Sequence, residues 1–202
     1  MKVSVVIPTR NRVEYLRQAI DSARALHTPH LDIFGADTAP ADATPALLEE
    51  YRDVDRLSYR RNETDQGMVA NWKDAIENLA DGDWFLIMSD DDYFVDDGYI
   101  SAAARLIAEN PGLTLVLSNG YILNESTGDK RELVLPYQAV EPGIEVFLNR
   151  GNVLPQEFTL CTVLFRRDVA LQMAVFGNPN TISCESELLL KLCLLGDVGV
   201  NS

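Results

Sequence analysis

The sequence predicts an α/β protein with a mostly parallel central sheet, helices on both faces, and a smaller mixed lobe in its second half. Three observations carry this. Residues 3–7, VSVVI, form an almost unbroken β-branched run, the pattern of a parallel strand covered on both faces. Strand-like and helix-like segments then alternate through the first half of the chain. A second apolar run, WFLIM at 84–88, ends abruptly in Ser89 and three adjacent carboxylates, Asp90, Asp91 and Asp92.

After the first strand, Asn11 is expected to cap a helix, with Glu14 completing a capping box and Val13, Leu16, Ile20 and Ala23 forming one apolar stripe. Residues 31–36 predict the second strand. Thr44 and Pro45 then open a helix reaching Tyr51, with Thr44 as cap and Pro45 at the first helical position. A short strand at 57–59 precedes a helix over 68–80, and Asp81-Gly82-Asp83 turns the chain into the strand at 84–88. The second half is less regular. A helix over 97–109 ends at Asn110-Pro111-Gly112, and strands at 113–123 and 132–135 flank a polar turn at 125–130. A helix at 144–149, a strand at 159–166 and a last helix at 185–195 complete the reading. No Ser/Gly/Pro linker, repeat or low-complexity tract divides the chain, so residues 1–202 are taken as one domain with two lobes.

With 202 residues, 47% of them hydrophobic, the chain is large enough for a proper core. Its net charge of −14 opposes broad binding to nucleic acid or an anionic membrane, so an anionic ligand needs a local remedy. The N-terminal apolar run stops at Pro8, too early for a signal peptide, which predicts a cytoplasmic protein. No stretch approaches the roughly 20 apolar residues of a membrane span. Cys161, Cys184 and Cys193 lack metal-ligand spacing and read as reduced thiols, mostly buried. There is no Gly-x-Gly dinucleotide fingerprint, no Walker lysine and no Gly-x-Ser-x-Gly elbow; His27 and His30 lie in a polar connection far from any nucleophile.

In a doubly wound sheet, ligands bind outside the carboxyl ends of the strands, where the loops after Ile7, Ala36 and Met88 gather. Adjacent carboxylates repel, so a cleft holding Asp90, Asp91 and Asp92 either raises their pKa values or neutralises them with a cation. Hard oxygen ligands suit Mg²⁺ or Mn²⁺, which keep positions open for phosphates. A solvated acidic turn is the plain alternative. Asp37, past the second strand, can accept a hydrogen bond from a nucleobase, or be a simple turn carboxylate. Pro8, Thr9, Arg10, Asn11 and Arg12 offer hydroxyl, amide, guanidinium and helix N-terminal N–H groups to an anion. Glu185 and Glu187 open the last helix, where its dipole stabilises acids. Either could instead be a general base, but residues two apart point about 200° from each other and cannot share the role.

Taken together, VSVVIPTRNR, Asp37, NETDQGMVANW, GDWFLIMSDDDYF and CESELLLKLCLLGDVG resemble, in order and over nearly the whole chain, the family 2 glycosyltransferases of GT-A (Rossmann-like) fold. The resemblance implies an inverting transferase that uses a nucleotide-diphosphate sugar, UDP-linked, with Mn²⁺ or Mg²⁺, in polysaccharide biosynthesis. Residues 1 to about 100 would bind the donor and the rest would face a saccharide or lipid-linked acceptor. Such an enzyme would be cytoplasmic, with peripheral attachment to the inner face of the membrane left open. Pro8, Thr9 and Asp37 then hold the nucleotide, and the triplet matches the D-x-D region, either as Ser89 to Asp91 or as Asp90 to Asp92, with Asp91 the first choice for the metal. Glu185 aligns with the family's base and Glu187 is the reserve. The chain departs from the pattern in three places. Arg10 stands where an aromatic is usual, Asp37-Thr38-Ala39-Pro40 replaces Asp-Asp-Gly-Ser, and glutamate replaces the usual aspartate base. The chain ends at Ser202, where family members usually continue, so acceptor-side structure is expected beyond it.

A nucleotidyltransferase would carry a basic, glycine-rich loop near its first strand, and residues 8–12 contain no glycine. A catalytically inactive nucleotide-sugar binder would keep the rim and lack a working base.

Overall fold

The structure is a computed structural model that describes residues 1–28, 31–37, 44–136, 139–149, 160–178, 180–181 and 183–201. Its centre is an eight-stranded sheet. The first half contributes β1 (Val3–Thr9), β2 (Leu31–Asp37), β3 (Leu57–Arg61) and β4 (Trp84–Ile87), all parallel, in the spatial order β3-β2-β1-β4. The helices that link them are α1 (Val13–Ala25), α2 (Thr44–Glu50) and α3 (Met68–Asp74).

The two apolar runs become strands buried on both faces because their alternate residues meet different layers. Val3, Val5 and Ile7 of β1 pack with Leu16, Ala19, Ile20 and Ala23 of α1, while Val6 packs on the other face with Ala75 and Ala80. In β4, Trp84 and Leu86, followed by Met88, face the α1 layer, and Phe85 and Ile87 face the opposite one. Because β2 lies on one side of β1 and β4 on the other, the chain leaves the ends of β1 and β4 in diverging directions. That is a topological switch point, where open α/β sheets form their ligand crevice.

The second half completes the same sheet. After α4 (Tyr99–Glu109) come β5 (Leu113–Ser118), the separate antiparallel hairpin β6 (Gly120–Leu123) and β7 (Lys130–Leu133), then β8 (Val140–Glu141) and α5 (Gly143–Leu148). They are followed by β9 (Val163–Arg166), α6 (Arg167–Gln172), α7 (Cys184–Cys193) and β10 (Asp197–Asn201). β9 is inserted antiparallel between β4 and β5, and β10 runs parallel to β5. Phe85 of β4 stacks on Phe165 of β9, ring centroids 5.3 Å apart, in the core that also takes Leu188, Leu189 and Leu192 of α7.

Several expectations are corrected. Asn11 does not cap α1: it takes a left-handed backbone (φ 57°), which asparagine tolerates, and Arg12 becomes the N-cap residue with no side-chain cap bond. Thr44 lies inside α2 rather than capping it. The helix expected over 68–80 is α at its start and then widens into a π-turn over Ala75–Leu79, closed by the Ala80 N–H to the Ala75 carbonyl at 2.8 Å. The single strand expected over 113–123 breaks at Asn119, whose Oδ1 accepts the Leu135 N–H at 2.9 Å. The strand expected from 159 begins at Val163, after a 3₁₀ turn over Leu160–Thr162, and Thr159 lies outside the described residues. Cys184 and Cys193 are buried thiols, and Cys161 is a partly buried one. No described helix is long and apolar enough to cross a membrane.

Candidate active site

The carboxyl ends of β1 and β4 are fastened to each other by Thr9. Its hydroxyl, buried at the last position of β1, donates to Asp90 Oδ2 at 2.7 Å. Asp90 turns inward and is almost fully buried, and it also accepts the Arg10 backbone N–H. The left-handed turn at Asn11 is followed by the Arg12 side chain returning over this point, where Nη1 donates to Asp90 Oδ1 at 3.2 Å and to Asp91 Oδ2 at 2.7 Å. Burial still dominates at Asp90 and holds its carboxyl above the usual aspartate range, against the opposing pull of Thr9 and Arg12.

A turn closed by the Asp92 N–H to the Ser89 carbonyl, 3.0 Å, separates the three carboxylates. Asp91 is exposed and lies toward the start of α1, while Asp92 is half-buried and faces the N-terminus of α7. There stands Glu185. Burial, then the neighbouring Asp92 charge, raises the Glu185 carboxyl above its ordinary value. Glu187, on the other side of the helix, is paired with Lys191 one turn on, at 2.5 Å. The structure therefore brings Glu185 to the triplet and ties Glu187 elsewhere.

Arg10, standing where an aromatic is usual, pairs with Asp65 at 2.9 Å, in the loop before α3. Pro8 is in register with Ala36, and Thr9 with Asp37, the last residue of β2. The side chain of Asp37 and residues Thr38, Ala39 and Pro40 lie outside the described residues.

Two features of this rim carried no functional reading in the sequence. Asn71 is buried inside α3, accepts the Asn62 side-chain N–H at 2.9 Å and donates to the Ala36 carbonyl at 3.0 Å, fixing the backbone next to Asp37. An asparagine in a helix interior is a poor helix former and was the available signal. Tyr15 of α1 donates to Glu125 at 3.1 Å and so fastens the tip of the β6–β7 hairpin beside Arg12.

Oxygen donors of this kind suit a hard divalent cation, and Arg12 is the countercharge paired with Asp90 and Asp91. Among the described residues no three His, Cys, Asp or Glu side chains converge into a metal cage. A cation held by Asp91 would take its remaining ligands from water and phosphate oxygens, as Mg²⁺ and Mn²⁺ commonly do.

The chain is similar in sequence and in fold to known proteins. Residues 4–170 match the model for glycosyl transferase family 2. An uncharacterised protein of Mycobacterium tuberculosis is 30% identical over 116 residues, covering 56% of this chain and 33% of its own length. The poly(ribitol-phosphate) β-N-acetylglucosaminyltransferase TarS of Staphylococcus aureus is 25% identical over 122 residues, 59% of this chain and 21% of TarS. The chain thus spans a third or less of the length of these relatives. The crystal structure of a TarS fragment in complex with UDP superposes with a TM-score of 0.79 at 18% identity, over 99% of this chain and 57% of that one. A mannosyltransferase from Pyrobaculum calidifontis, in complex with GDP-Man and Mn²⁺, gives a TM-score of 0.71 at 16% identity, over 98% and 56%. The fold is GT-A.

Two outcomes test the site as built. Thr9→Val leaves a buried carboxylate without its hydroxyl donor and should cost about 1–3 kcal/mol in denaturant unfolding, with Thr9→Ser restoring most of it. Because the folded protein binds the Glu185 proton more tightly than the unfolded chain, that contribution is complete below the unfolded glutamate range and lost as pH rises through the raised folded value. Glu185→Gln should therefore melt above the wild type near neutral pH, and thermal melts at decreasing pH should show the gap closing.

Proposed function

We propose that this chain, which belongs to glycosyl transferase family 2, moves a sugar from a nucleoside-diphosphate sugar to a hydroxyl of a saccharide or lipid-linked acceptor, inverting the anomeric centre. The observation that carries the proposal is Glu185: a half-buried carboxyl with a raised pKa, set beside Asp92 at the same rim as Thr9, Asp90 and Arg12. A UDP-linked donor is favoured because TarS, which shares the fold, has been crystallised with UDP and with UDP-GlcNAc.

In this reading the rim after β1 and β2, with Pro8, Thr9, Asn11 and Asp37, holds the nucleoside, and Ser89 lies beside it at the end of β4. Arg10, paired with Asp65, borders the base side. Arg12 supplies the guanidinium for the diphosphate. Asp90 is the internal strut that orients its two neighbours, and Asp91 is the residue that would hold Mn²⁺ or Mg²⁺. Such an ion supplies electrostatic stabilisation to the departing diphosphate. Glu185 takes the acceptor proton at its carboxylate as the acceptor oxygen attacks the anomeric carbon from the side opposite the diphosphate, and its raised pKa suits that transfer near neutral pH. A cytoplasmic location, at the inner face of the membrane for a lipid-linked acceptor, belongs to the same proposal.

The test is UDP release from a panel of UDP-sugars, with water or added saccharides as acceptor. Glu185→Gln should bind donor as the wild type does and release UDP at least about 100-fold more slowly, whereas Glu187→Gln should stay within roughly twofold. Unchanged turnover by Glu185→Gln would assign the base elsewhere.

A further inference from the structure

One nitrogen of Arg12 serves two carboxylates of very different character. Nη1 lies 3.2 Å from Asp90 Oδ1 and 2.7 Å from Asp91 Oδ2. The Asp90 residue is 5% exposed, whereas the side chains of Asp91 and Arg12 are 47% and 51% exposed. The inner contact is a desolvated anchor, and the outer one is a solvent-screened ion pair of the kind that breaks at little cost. Neither carboxylate engages the Nη2 side of the planar fork, which keeps donors for a phosphate.

Asp91 is also the carboxylate best placed for the donor's cation. A guanidinium at Asp91 Oδ2 and a divalent cation on the same carboxylate repel across a few ångströms, so each weakens the other's hold on it. Building on the glycosyltransferase reading, we propose that Arg12 is a resident countercharge. It takes the cation's place on Asp91 in the donor-free protein, and it yields Asp91 to the cation and turns its fork onto the diphosphate when the two arrive together. The acidic rim is thereby kept neutralised without a donor, and metal alone binds weakly. Cation and nucleotide then reinforce each other's binding, since each favours the state in which Arg12 has left Asp91.

The first measurement is the binding of Mn²⁺ alone, read from the paramagnetic resonance signal of free Mn²⁺ in titrations of wild type, Arg12→Met, Arg12→Lys and Arg17→Met. Arg17, exposed on α1 and paired with Glu50 at 2.8 Å, reports the effect of removing any one positive charge from an acidic protein. Arg12→Met should bind Mn²⁺ about threefold to fivefold more tightly than wild type, with Arg12→Lys and Arg17→Met close to wild type. Calorimetry of UDP at saturating Mn²⁺ should show Arg12→Met weakened about tenfold. Mn²⁺ affinity in Arg12→Met no higher than in Arg17→Met overturns the exchange, and unchanged UDP affinity overturns the turn onto the diphosphate. A wild type that binds no UDP at saturating Mn²⁺ defeats the glycosyltransferase reading instead, while the Mn²⁺ comparison still decides whether Arg12 competes for Asp91.

Discussion

The hydrogen bond from Thr9 to Asp90 joins residues 81 apart in sequence and fixes the end of β4 against the end of β1. Everything at the rim depends on it. A carboxylate buried at this depth is tolerable only with donors at both oxygens, and Thr9, the Arg10 N–H and Arg12 supply them. Once Asp90 is committed inward, the turn from Ser89 to Asp92 sends the next two carboxylates apart, Asp91 toward α1 and Asp92 toward α7. Three adjacent aspartates thus acquire three roles from one anchored member.

The electrostatics follow from the same anchor. The chain carries a net charge of −14, and its crevice adds Glu185 to the triplet. An anionic nucleotide could not approach such a rim unaided, so the site needs positive charge delivered locally. Arg12 is the local positive charge that touches both Asp90 and Asp91, and it arrives there only because Asn11 takes a left-handed backbone instead of capping the helix. A hard cation brought with the diphosphate would supply the rest.

The parts of this arrangement encoded in contiguous residues were legible in the sequence. β1 and β4 are short runs whose side chains are all buried except the half-buried Pro8, so their apolar continuity betrays them, and the triplet follows directly from β4. Contacts made across the sheet were not legible. Nothing local in VLFR announces that β9 enters antiparallel between β4 and β5. The strand DVGVN of β10, with its glycine and its polar ends, lacks a β-branched run long enough to read. As first-turn acids Glu185 and Glu187 were equivalent, and only the family resemblance ranked Glu185 first; Leu188, Leu189 and Leu192 then fixed which face of α7 enters the core. The partners of Asn71, a residue out of place in a helix interior, could not be read from the sequence, because Asn62 and the Ala36 carbonyl meet it only through buried amides that periodicity does not register.

In the proposed function this rim is a cation-assisted site for a nucleoside diphosphate. Titration of the wild-type protein with UDP by calorimetry, in Mn²⁺ and then in chelator, with GDP and AMP as controls, tests it most directly. The account predicts UDP binding that is strong in Mn²⁺ and lost in chelator. Absence of binding by UDP and GDP in both conditions, from protein shown to be folded, would contradict it.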